Sequence, residues 1–355
     1  MEPEEYPRSI VGRGAADNPR NRFESIEVEP EPGEFGEEQG QTTVFLRDTS
    51  RSIIARNSSP DIGFDVSINP YRGCEHGCIY CFARPMHEYV GFSAGLDFES
   101  RILVKQNAPE LLRKELSSLR WKPQVLAMSV ATDCYQPVEK KLRVTRRCLE
   151  VLREFRNPVA VITKNHLVTR DIDLLSELAR YGAAVVTISL TTLDDDLRRV
   201  MEPRTSRPVR RLAAIRELSK AGIPVGVMHA PVIPGLNDHE LPALISAAAE
   251  AGASFAAYTP VRLPYAVRPL FEDWLARHFP ERKEKVLNRI RSMRGGKLND
   301  PRFGSRMRGE GIFAEHIAQL FDISCRKAGI DRGRSPKLSK EAFRYAGAAQ
   351  PGLFD

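Results

Sequence analysis

Residues 69–84 read NPYRGCEHGCIYCFAR, which places Cys74, Cys78 and Cys81 within eight positions at the spacing C-x3-C-x2-C. The chain has 355 residues and six cysteines. A secreted disulfide scaffold needs a higher cysteine density in a shorter chain. In a cytosolic protein, a cysteine cluster of this density indicates metal binding.

The spacing of the three cysteines favours an iron–sulfur cluster. Three thiolates on one short loop can bind three irons of a cubane and leave the fourth iron open to another ligand. Gly73 and Gly77 allow the loop to fold tightly around an inorganic core. A zinc site with His76 or His87 as fourth ligand is the alternative, although zinc sites usually have two Cys pairs, or a Cys pair and a distant His pair. Three cysteines that only pack together are the least favoured interpretation.

The cysteine loop follows the first of six short apolar runs, which alternate with helical patterns. Such alternation predicts parallel βαβ units, arranged as an open doubly wound sheet or as a full or partial barrel. In each arrangement, chemistry collects at the carboxyl ends of the strands. The predicted strands are 64–68, 125–130, 159–163, 184–190, 225–229 and 255–258, and the predicted helices are 109–120, 138–155, 171–181, 207–221 and 238–251.

The motif C-x3-C-x-aromatic-C, with Tyr80 as the aromatic residue, resembles the signature of the radical SAM superfamily. The resemblance extends over about residues 64–260. It implies a partial (β/α)6 barrel of the TIM type, a [4Fe–4S] cluster on the three cysteines, and S-adenosylmethionine chelated at the open iron. Family members cleave this sulfonium with one electron, and the 5′-deoxyadenosyl radical so formed abstracts hydrogen from a substrate. The electron donor implied is a flavodoxin or a ferredoxin.

Several later segments most resemble the branch that contains spore photoproduct lyase and its DNA-repair-photolyase-like relatives. The matching residues are Tyr80, Asp133, Thr163-Lys164, Ser189, Glu202 and Arg204-Thr205. By this resemblance, the residues expected to bind the cofactor are Tyr80, Asp133, Lys164, Ser189 and Arg204. A lysine at a strand end can neutralise the methionyl carboxylate. The segment PVIPGLND (231–238) resembles a loop that commonly approaches the adenine.

The chain also departs from that branch. Val130 stands where the lyase has a cysteine hydrogen donor, and Phe82 stands where it has a second tyrosine. Cys134, one residue after Asp133, is the alternative hydrogen donor, although an isolated cysteine more often packs as a small apolar residue. Reversal of thymine dimers by the lyase's own mechanism is therefore not expected. A different radical reaction fits better, with nucleic acid as the favoured substrate class.

Charge is distributed unevenly along the chain. Residues 1–45 carry eleven acidic side chains and four arginines, so the rest of the chain has a net charge of +14. Such a field attracts nucleic acid, or it serves as a solubilising surface, and charge alone does not decide between the two. The predicted organisation is an acidic extension without fixed structure (1–45), a barrel with the cluster loop (46–265), a helical, basic segment that closes the barrel (266–332) and a tail (333–355).

Other features of the sequence argue against a membrane protein, a secreted protein and a protein with two clusters. No run of about 18 apolar residues predicts a membrane span, and the acidic N-terminus has no apolar signal region. We therefore expect a cytoplasmic protein. Cys148 and Cys325 have no partner at ligand spacing, which argues against a second cluster. Two other functions remain open at this point: a zinc-binding protein associated with nucleic acid, and an iron–sulfur redox sensor without catalysis.

Overall fold

The computed structural model describes residues 10–24, 42–333 and 335–345. Its strands are β1 (Val44–Arg47), β2 (Ile54–Arg56), β3 (Val66–Ile68), β4 (Tyr71–Arg72), β5 (Arg101–Val104), β6 (Leu126–Met128), β7 (Val159–Thr163), β8 (Ala184–Ser189), β9 (Val225–Val232), β10 (Phe255–Pro260) and β11 (Asp331–Arg332). Its α-helices are α1 (Leu96–Ser100), α2 (Ala108–Leu116), α3 (Glu139–Leu142), α4 (Val144–Phe155), α5 (Ile172–Arg180), α6 (Asp195–Met201), α7 (Pro208–Lys220), α8 (Leu241–Glu250), α9 (Val267–His278), α10 (Lys283–Ser292), α11 (Ser305–Arg308) and α12 (Ile312–Ala328).

The main sheet has eight strands in the order β11-β10-β9-β8-β7-β6-β3-β2, and all neighbours except β2 and β3 are parallel. The six predicted strands are confirmed and correspond to β3 and β6–β10. These six lie side by side in chain order. A doubly wound sheet would reverse its order at a switch point, so the chain forms a partial (β/α)6 barrel.

Burial explains why the strands could be recognised. All six residues of β8 are buried, which is typical of a parallel strand covered on both faces. Helix α7 begins with Pro208, and Gly222 follows it with φ +75°, a combination that ends a helix before the next strand. The remaining strands, β1, β2, β4, β5 and β11, are two to four residues long and are not among the predicted strands.

The C-terminal segment contacts the other end of the sheet. Gly304 N donates to Asp61 Oδ1 at 2.7 Å, and Arg306 Nε donates to Asp61 Oδ2 at 2.6 Å. Asp61 lies between β2 and β3, whereas Gly304 and Arg306 follow β10 in the chain. These bonds join part of the segment 266–332 to the region before β3, and closure of the open side of the barrel by this segment stays a prediction.

The two ends of the chain differ in part from expectation. The sequence predicts no fixed structure for residues 1–45, but within the described part of this stretch Gly14 N and Ala15 N donate to the buried carboxylate of Glu99 at 3.0 and 2.9 Å. Residues 1–9, 25–41 and 346–355 lie outside the described residues. In the tail, Phe343 stacks on Phe155 at 6.2 Å between ring centroids. No helix among the described residues is long and apolar enough to span a membrane.

Candidate functional site

The cluster loop, defined as residues 69–84, follows β3 and is fixed by three separate segments of the chain. Cys74 N donates to Phe98 O at 2.8 Å, and Ile79 N donates to Met201 O at 3.1 Å. Glu75 N donates to the side chain of Gln136 at 2.9 Å. These bonds are long-range in sequence, so the loop is positioned by the assembled barrel and not only by its own turns.

Two glycines allow the loop to pass close to its neighbours. Gly77 has φ +66°, and a Cβ atom there would lie 2.7 Å from Glu99 Oε2. Gly73 has φ +77°, and its Cβ atom would lie 3.0 Å from Phe98 O. Both positions are left-handed and crowded, a combination that glycine tolerates and that other residues do not. The two glycines thus allow close contacts with Glu99 and Phe98, and folding of the loop around an inorganic core stays a prediction.

Glu99 lies beneath the loop and collects several donors. It is fully buried and forms an ion pair with the fully buried Arg84 at 2.5 Å. Arg84 also donates to Cys78 O at 3.0 Å. Because Gly14 and Ala15 donate to the same carboxylate, the N-terminal segment and the cluster loop share one buried anchor. Removing a partner from such a pair leaves an uncompensated buried charge.

The three cysteines of the motif are free thiols in the loop. Cys74 and Cys78 are buried, and Cys81 is partly buried. Burial raises the pKa of the Cys78 thiol well above its ordinary value, and burial also raises the pKa of Cys81. Without a bound metal these two thiols are therefore protonated, and binding of iron would release their protons.

The donor set fits a cubane better than a single metal ion. No group of three His, Cys, Asp or Glu side chains within residues 10–24, 42–333 and 335–345 is arranged to hold one metal ion. A cubane differs because each of its cysteines binds a different iron. His76, one proposed zinc ligand, interacts with Cys74 but also with two side chains outside the loop: its Nε2 lies 3.2 Å from Asn165 Nδ2 and its Nδ1 lies 3.4 Å from Asp133 Oδ2.

Asp133 joins the cluster loop to the ends of two strands. Besides His76, its carboxylate accepts from Thr163 Oγ1 and from Lys164 N, both at 2.7 Å. Burial would raise the pKa of Asp133, but His76 and the donated hydrogen bonds lower it to about 2. Burial likewise opposes the charge on His76, yet Asp133 raises the pKa of this imidazole to about 9. The contacts of Asp133 lie within the protein, and its predicted contact with the cofactor stays a prediction.

Tyr80 and Lys164 lie together on the inner side of the loop. The Tyr80 hydroxyl donates to Glu202, which also pairs with Arg211. Lys164 Nζ lies 6.0 Å from the centroid of the Tyr80 ring. Burial would raise the pKa of Glu202, but Arg211 and Lys164 lower it to about 2, so the carboxylate is ionised. The amine of Lys164 thus lies near a fixed negative charge, and its positive charge partly offsets the rise in the pKa of the Cys78 thiol that burial causes.

Ser189 and Arg204 reach the same region. Ser189 ends β8, and its carbonyl oxygen accepts from Arg211 Nη1 at 3.0 Å. Arg204 pairs with Glu75 of the cluster loop at 3.1 Å, and its amide donates to His76 O at 3.3 Å. The structure therefore brings Tyr80, Asp133, Lys164, Ser189 and Arg204 to one edge of the barrel. Their roles towards the cofactor remain predictions.

Cys134 occupies a different environment. It is fully buried and belongs to the main hydrophobic core. Its amide donates to Ser129 Oγ at 2.8 Å, and its carbonyl accepts from Thr145 Oγ1 at 2.6 Å. Burial raises the pKa of its thiol well above the ordinary value. This packing favours the apolar interpretation of Cys134 over the proposed hydrogen donor.

Two buried polar residues near the site escape prediction from the sequence. Asn237 is fully buried, and it accepts from Ile233 N at 2.6 Å and donates to Thr191 O and Pro231 O at 2.8 and 3.1 Å. It thereby fixes the segment 231–238 against the end of β8. His229, in β9, is also fully buried, and neither ring nitrogen has a hydrogen-bond partner among the described residues. For His229, the sequence signal was a polar residue at the end of a predicted strand. For Asn237, it was a polar residue in the segment that follows this strand.

The sequence of the chain is similar to a protein family and to several known proteins. The sequence model of the Radical SAM superfamily matches residues 68–248. An uncharacterized protein of Mycobacterium tuberculosis is 35% identical over 277 residues, which cover 77% of this chain and 78% of that protein. An uncharacterized protein of Methanocaldococcus jannaschii is 30% identical over 173 residues, which cover 49% of this chain and 62% of that protein.

Solved structures of spore photoproduct lyase resemble the fold. The lyase complexed with dinucleoside spore photoproduct has a TM-score of 0.60 and 16% sequence identity, over 86% of this chain and 87% of that chain. A variant of the lyase with bound AdoMet and dinucleoside spore photoproduct gives the same TM-score, identity and coverage. At this level of identity the likeness concerns the fold.

Proposed function

Because the chain belongs to the radical SAM superfamily, we propose that it cleaves S-adenosylmethionine reductively at a [4Fe–4S] cluster and abstracts hydrogen from a nucleic acid substrate. The observation that supports this most directly is the cluster loop itself. It presents Cys74, Cys78 and Cys81 on one fixed loop at the carboxyl edge of the parallel strands, beside Lys164 and Tyr80. Members of this family use a [4Fe–4S] cluster and S-adenosylmethionine.

The three cysteines would hold the cluster, and their burial would exclude water from it. When bound, the cluster and the sulfonium supply one-electron cleavage to methionine and a 5′-deoxyadenosyl radical, which becomes 5′-deoxyadenosine when it takes a hydrogen atom. Lys164 would bind the methionyl carboxylate through a charge-assisted hydrogen bond. Asp133 and Arg204 would act mainly by holding the cluster loop, given their bonds to His76 and Glu75.

Nucleic acid is proposed as the substrate because of charge and likeness together. Outside residues 1–45 the chain has a net charge of +14, which favours a polyanion. The solved structures of the lyase include complexes with dinucleoside spore photoproduct. A lyase reaction on a nucleic acid lesion is thus the favoured reaction type. Phe82 has no hydroxyl and Cys134 is buried in the core, so we do not propose the lyase's own hydrogen-transfer route.

The proposal also includes a partner and a location. Each turnover needs one electron, and a flavodoxin or ferredoxin would supply it. The thiols that bind the cluster must remain reduced, which is the condition of the cytoplasm.

The test is anaerobic reconstitution with iron and sulfide, reduction with dithionite in the presence of S-adenosylmethionine, and quantification of 5′-deoxyadenosine by chromatography. Wild type should form 5′-deoxyadenosine, and Cys78→Ala should form none. Cys148→Ala is the matched control, because Cys148 is also buried but lies in α4, outside the loop. It should keep both the iron and the product.

The other two functions give different results in this experiment. A zinc protein would be colourless and would contain zinc instead of iron after reconstitution. An iron–sulfur redox sensor would be brown and redox-active but would form no 5′-deoxyadenosine, even when damaged DNA or RNA is supplied. Either result would overturn the proposed function.

A further inference from the structure

Five exposed aromatic side chains, called here the aromatic strip, form two groups, one that begins in the cluster loop at Phe82 and one around Arg22. They are Phe23, Phe82, Tyr89, Tyr265 and Phe303. Their exposed fractions range from 39% for Phe82 to 71% for Tyr89. Exposed apolar side chains scattered singly need no explanation, whereas exposed rings grouped by mutual contacts indicate an interaction surface.

The part of the strip nearest the site begins at Phe82, the residue after Cys81. The guanidinium carbon of Arg262 lies 4.9 Å from the centroid of the Phe82 ring. Arg262 follows the end of β10, and its Nη1 lies 3.3 Å from the sulfur of Met307. Phe82 and Arg262 thus form a stacked pair at the carboxyl edge of the barrel. In single-strand binding proteins, bases stack on aromatic side chains, and nearby arginines add cation–π contributions.

The strip continues into the basic C-terminal segment. Arg306, one residue before Met307, lies over the ring of Phe303 at 4.4 Å. Its guanidinium is held by Asp61 at 2.6 Å and by Ser59 at 2.5 Å, so the pair is fixed in place. Phe303 is 61% exposed and offers its ring to solvent.

A second branch of the strip starts from the same loop as Arg262. Arg22 lies 3.9 Å from the centroid of the Tyr265 ring and 5.0 Å from that of Phe23. Phe23 in turn stacks on Tyr89 with 4.8 Å between centroids. Tyr265 has φ +49°, a left-handed conformation that costs free energy in a residue with a side chain. The loop 261–266 therefore contributes one residue to each branch: Arg262 pairs with Phe82, and Tyr265 pairs with Arg22.

The charges on this surface are partly neutralised. Arg22 is paired with Glu88 at 2.7 Å, and Arg306 is paired with Asp61. Arg262 forms no ion pair with any carboxylate that the structure describes. The strip thus offers flat aromatic and guanidinium faces with a modest positive charge. A partner that has both flat rings and negative charge fits this combination.

We propose that the aromatic strip binds single-stranded nucleic acid by stacking unpaired bases, and that it leads the strand to the cluster loop through Phe82. Base faces in a duplex are covered by neighbouring base pairs, so only unpaired or extruded bases can stack on these rings. The inference rests on the proposed function, since it names the form of nucleic acid that the site would receive. Binding by stacking does not require the cluster. The proposed strand binding and the proposed enzyme activity can therefore be tested separately.

Fluorescence anisotropy of the full chain with labelled oligonucleotides tests the proposal. The probes are a mixed-sequence single strand as DNA and as RNA, the matching blunt duplex, and heparin as an unrelated polyanion. We expect a single strand to bind at least about tenfold more tightly than the duplex. Stacking of one base on an aromatic side chain is worth about 1–3 kcal/mol, so Phe303→Ala and Tyr265→Ala should each weaken binding roughly 5-fold or more.

The matched control is Phe45→Ala, because Phe45 is 47% exposed but lies in β1 and not in the strip. It should bind the single strand like wild type. Phe303→Leu retains apolar volume without an aromatic face, and should lose binding as Phe303→Ala does. Thermal unfolding checks that each variant folds.

Equal affinity for duplex and single strand would overturn the proposal, as would unchanged binding by both strip variants. If the strip variants weakened the binding of heparin as much as the binding of oligonucleotides, the strip would be a general polyanion site, and the proposal would fail. Self-association of the wild type that Phe303→Ala abolishes, without oligonucleotide binding, would identify a protein interface instead. Formation of 5′-deoxyadenosine without oligonucleotide is measured in parallel, so failure of the strip is distinguished from failure of the enzyme assignment.

Discussion

Gly14 packs directly on Gly77 of the cluster loop, so closely that a Cβ atom on Gly14 would overlap the Gly77 carbonyl oxygen. The amide of Gly14 donates to Glu99, and Gly77 passes over the same carboxylate. Backbone atoms on both sides leave no room for a side chain to move away. The N-terminal segment is therefore part of the wall around the three cysteines.

Gly14→Ala should lower the stability of the cluster loop. The added methyl group must displace either the N-terminal segment or Gly77, and overpacking of this kind costs about 1–3 kcal/mol. We expect less iron per chain after reconstitution and faster bleaching of the cluster by a chelator. Gly63→Ala is the control, because a Cβ atom on Gly63 would meet no other atom within 4 Å, and this variant should behave like wild type. Equal bleaching rates for the two variants would contradict the contact.

Asp133→Asn should destabilise the fold even though it preserves the shape of the side chain. One carboxylate oxygen becomes an NH2 group that faces the donors Lys164 N and His76. Breaking a buried pair by neutralising one partner costs about 3–5 kcal/mol. The measurement is the free energy of urea unfolding.

Asp173→Asn provides the comparison for Asp133→Asn. Asp173 pairs with Arg146 at 2.7 Å, but its side chain is 58% exposed. An exposed ion pair contributes about 1 kcal/mol or less. If the two variants lost the same stability, Asp133 would not have the joining role inferred from its hydrogen bonds.

Lys164→Met tests the predicted contact with S-adenosylmethionine. Methionine retains most of the side-chain length but cannot neutralise a carboxylate. A charge-assisted hydrogen bond is worth about 1.5–3 kcal/mol, so the KM for S-adenosylmethionine should rise roughly 10-fold or more. Iron content should stay at the wild-type level. Lys140→Met, on the exposed side of α3, should leave the KM unchanged. A KM unaffected by Lys164→Met would assign this lysine to a structural role.

The central architecture could be predicted because its signals are local. The six strands β3 and β6–β10 are apolar runs followed by helical patterns, and the cysteine spacing lies within one loop. The N-terminal segment could not be predicted in this way. Residues 10–24 lie in an acidic stretch without apolar periodicity, and their structure depends on Glu99, which is more than eighty positions away. A single sequence carries no local trace of such a contact.

The sequence names candidate residues for the site but not their hydrogen-bond partners. Lys164 contacts both Tyr80 and Asp133, and the binding of the cofactor by these residues stays a prediction. The sequence could not reveal that the oxygens of Asp133 are engaged by His76 and by strand ends, since hydrogen-bond partners depend on tertiary distances. Cys134 follows Asp133 in the chain, yet it packs in the core. Proximity in sequence to Asp133 was thus a poor guide to the burial of Cys134.

His229 predicts a dependence of stability on pH. Burial lowers the pKa of this imidazole from its ordinary value of 6.5 to about 3. Between these values the unfolded chain binds a proton that the folded chain does not bind. Stability contributed by the neutral ring is therefore full above about pH 6.5 and decreases as the pH falls towards 3. The slope contributed by one such group is at most about 1.4 kcal/mol per pH unit.

His229→Leu should remove this slope. Urea unfolding between about pH 8 and pH 5 should give a wild-type stability that falls more steeply with decreasing pH than that of the variant. Leucine also leaves no unpaired ring nitrogen in the core, so the variant should be at least as stable as wild type at about pH 5. His239→Leu is the control, because His239 is exposed and this variant should retain the wild-type slope. Parallel curves for wild type and His229→Leu would mean that His229 is hydrated or paired in solution.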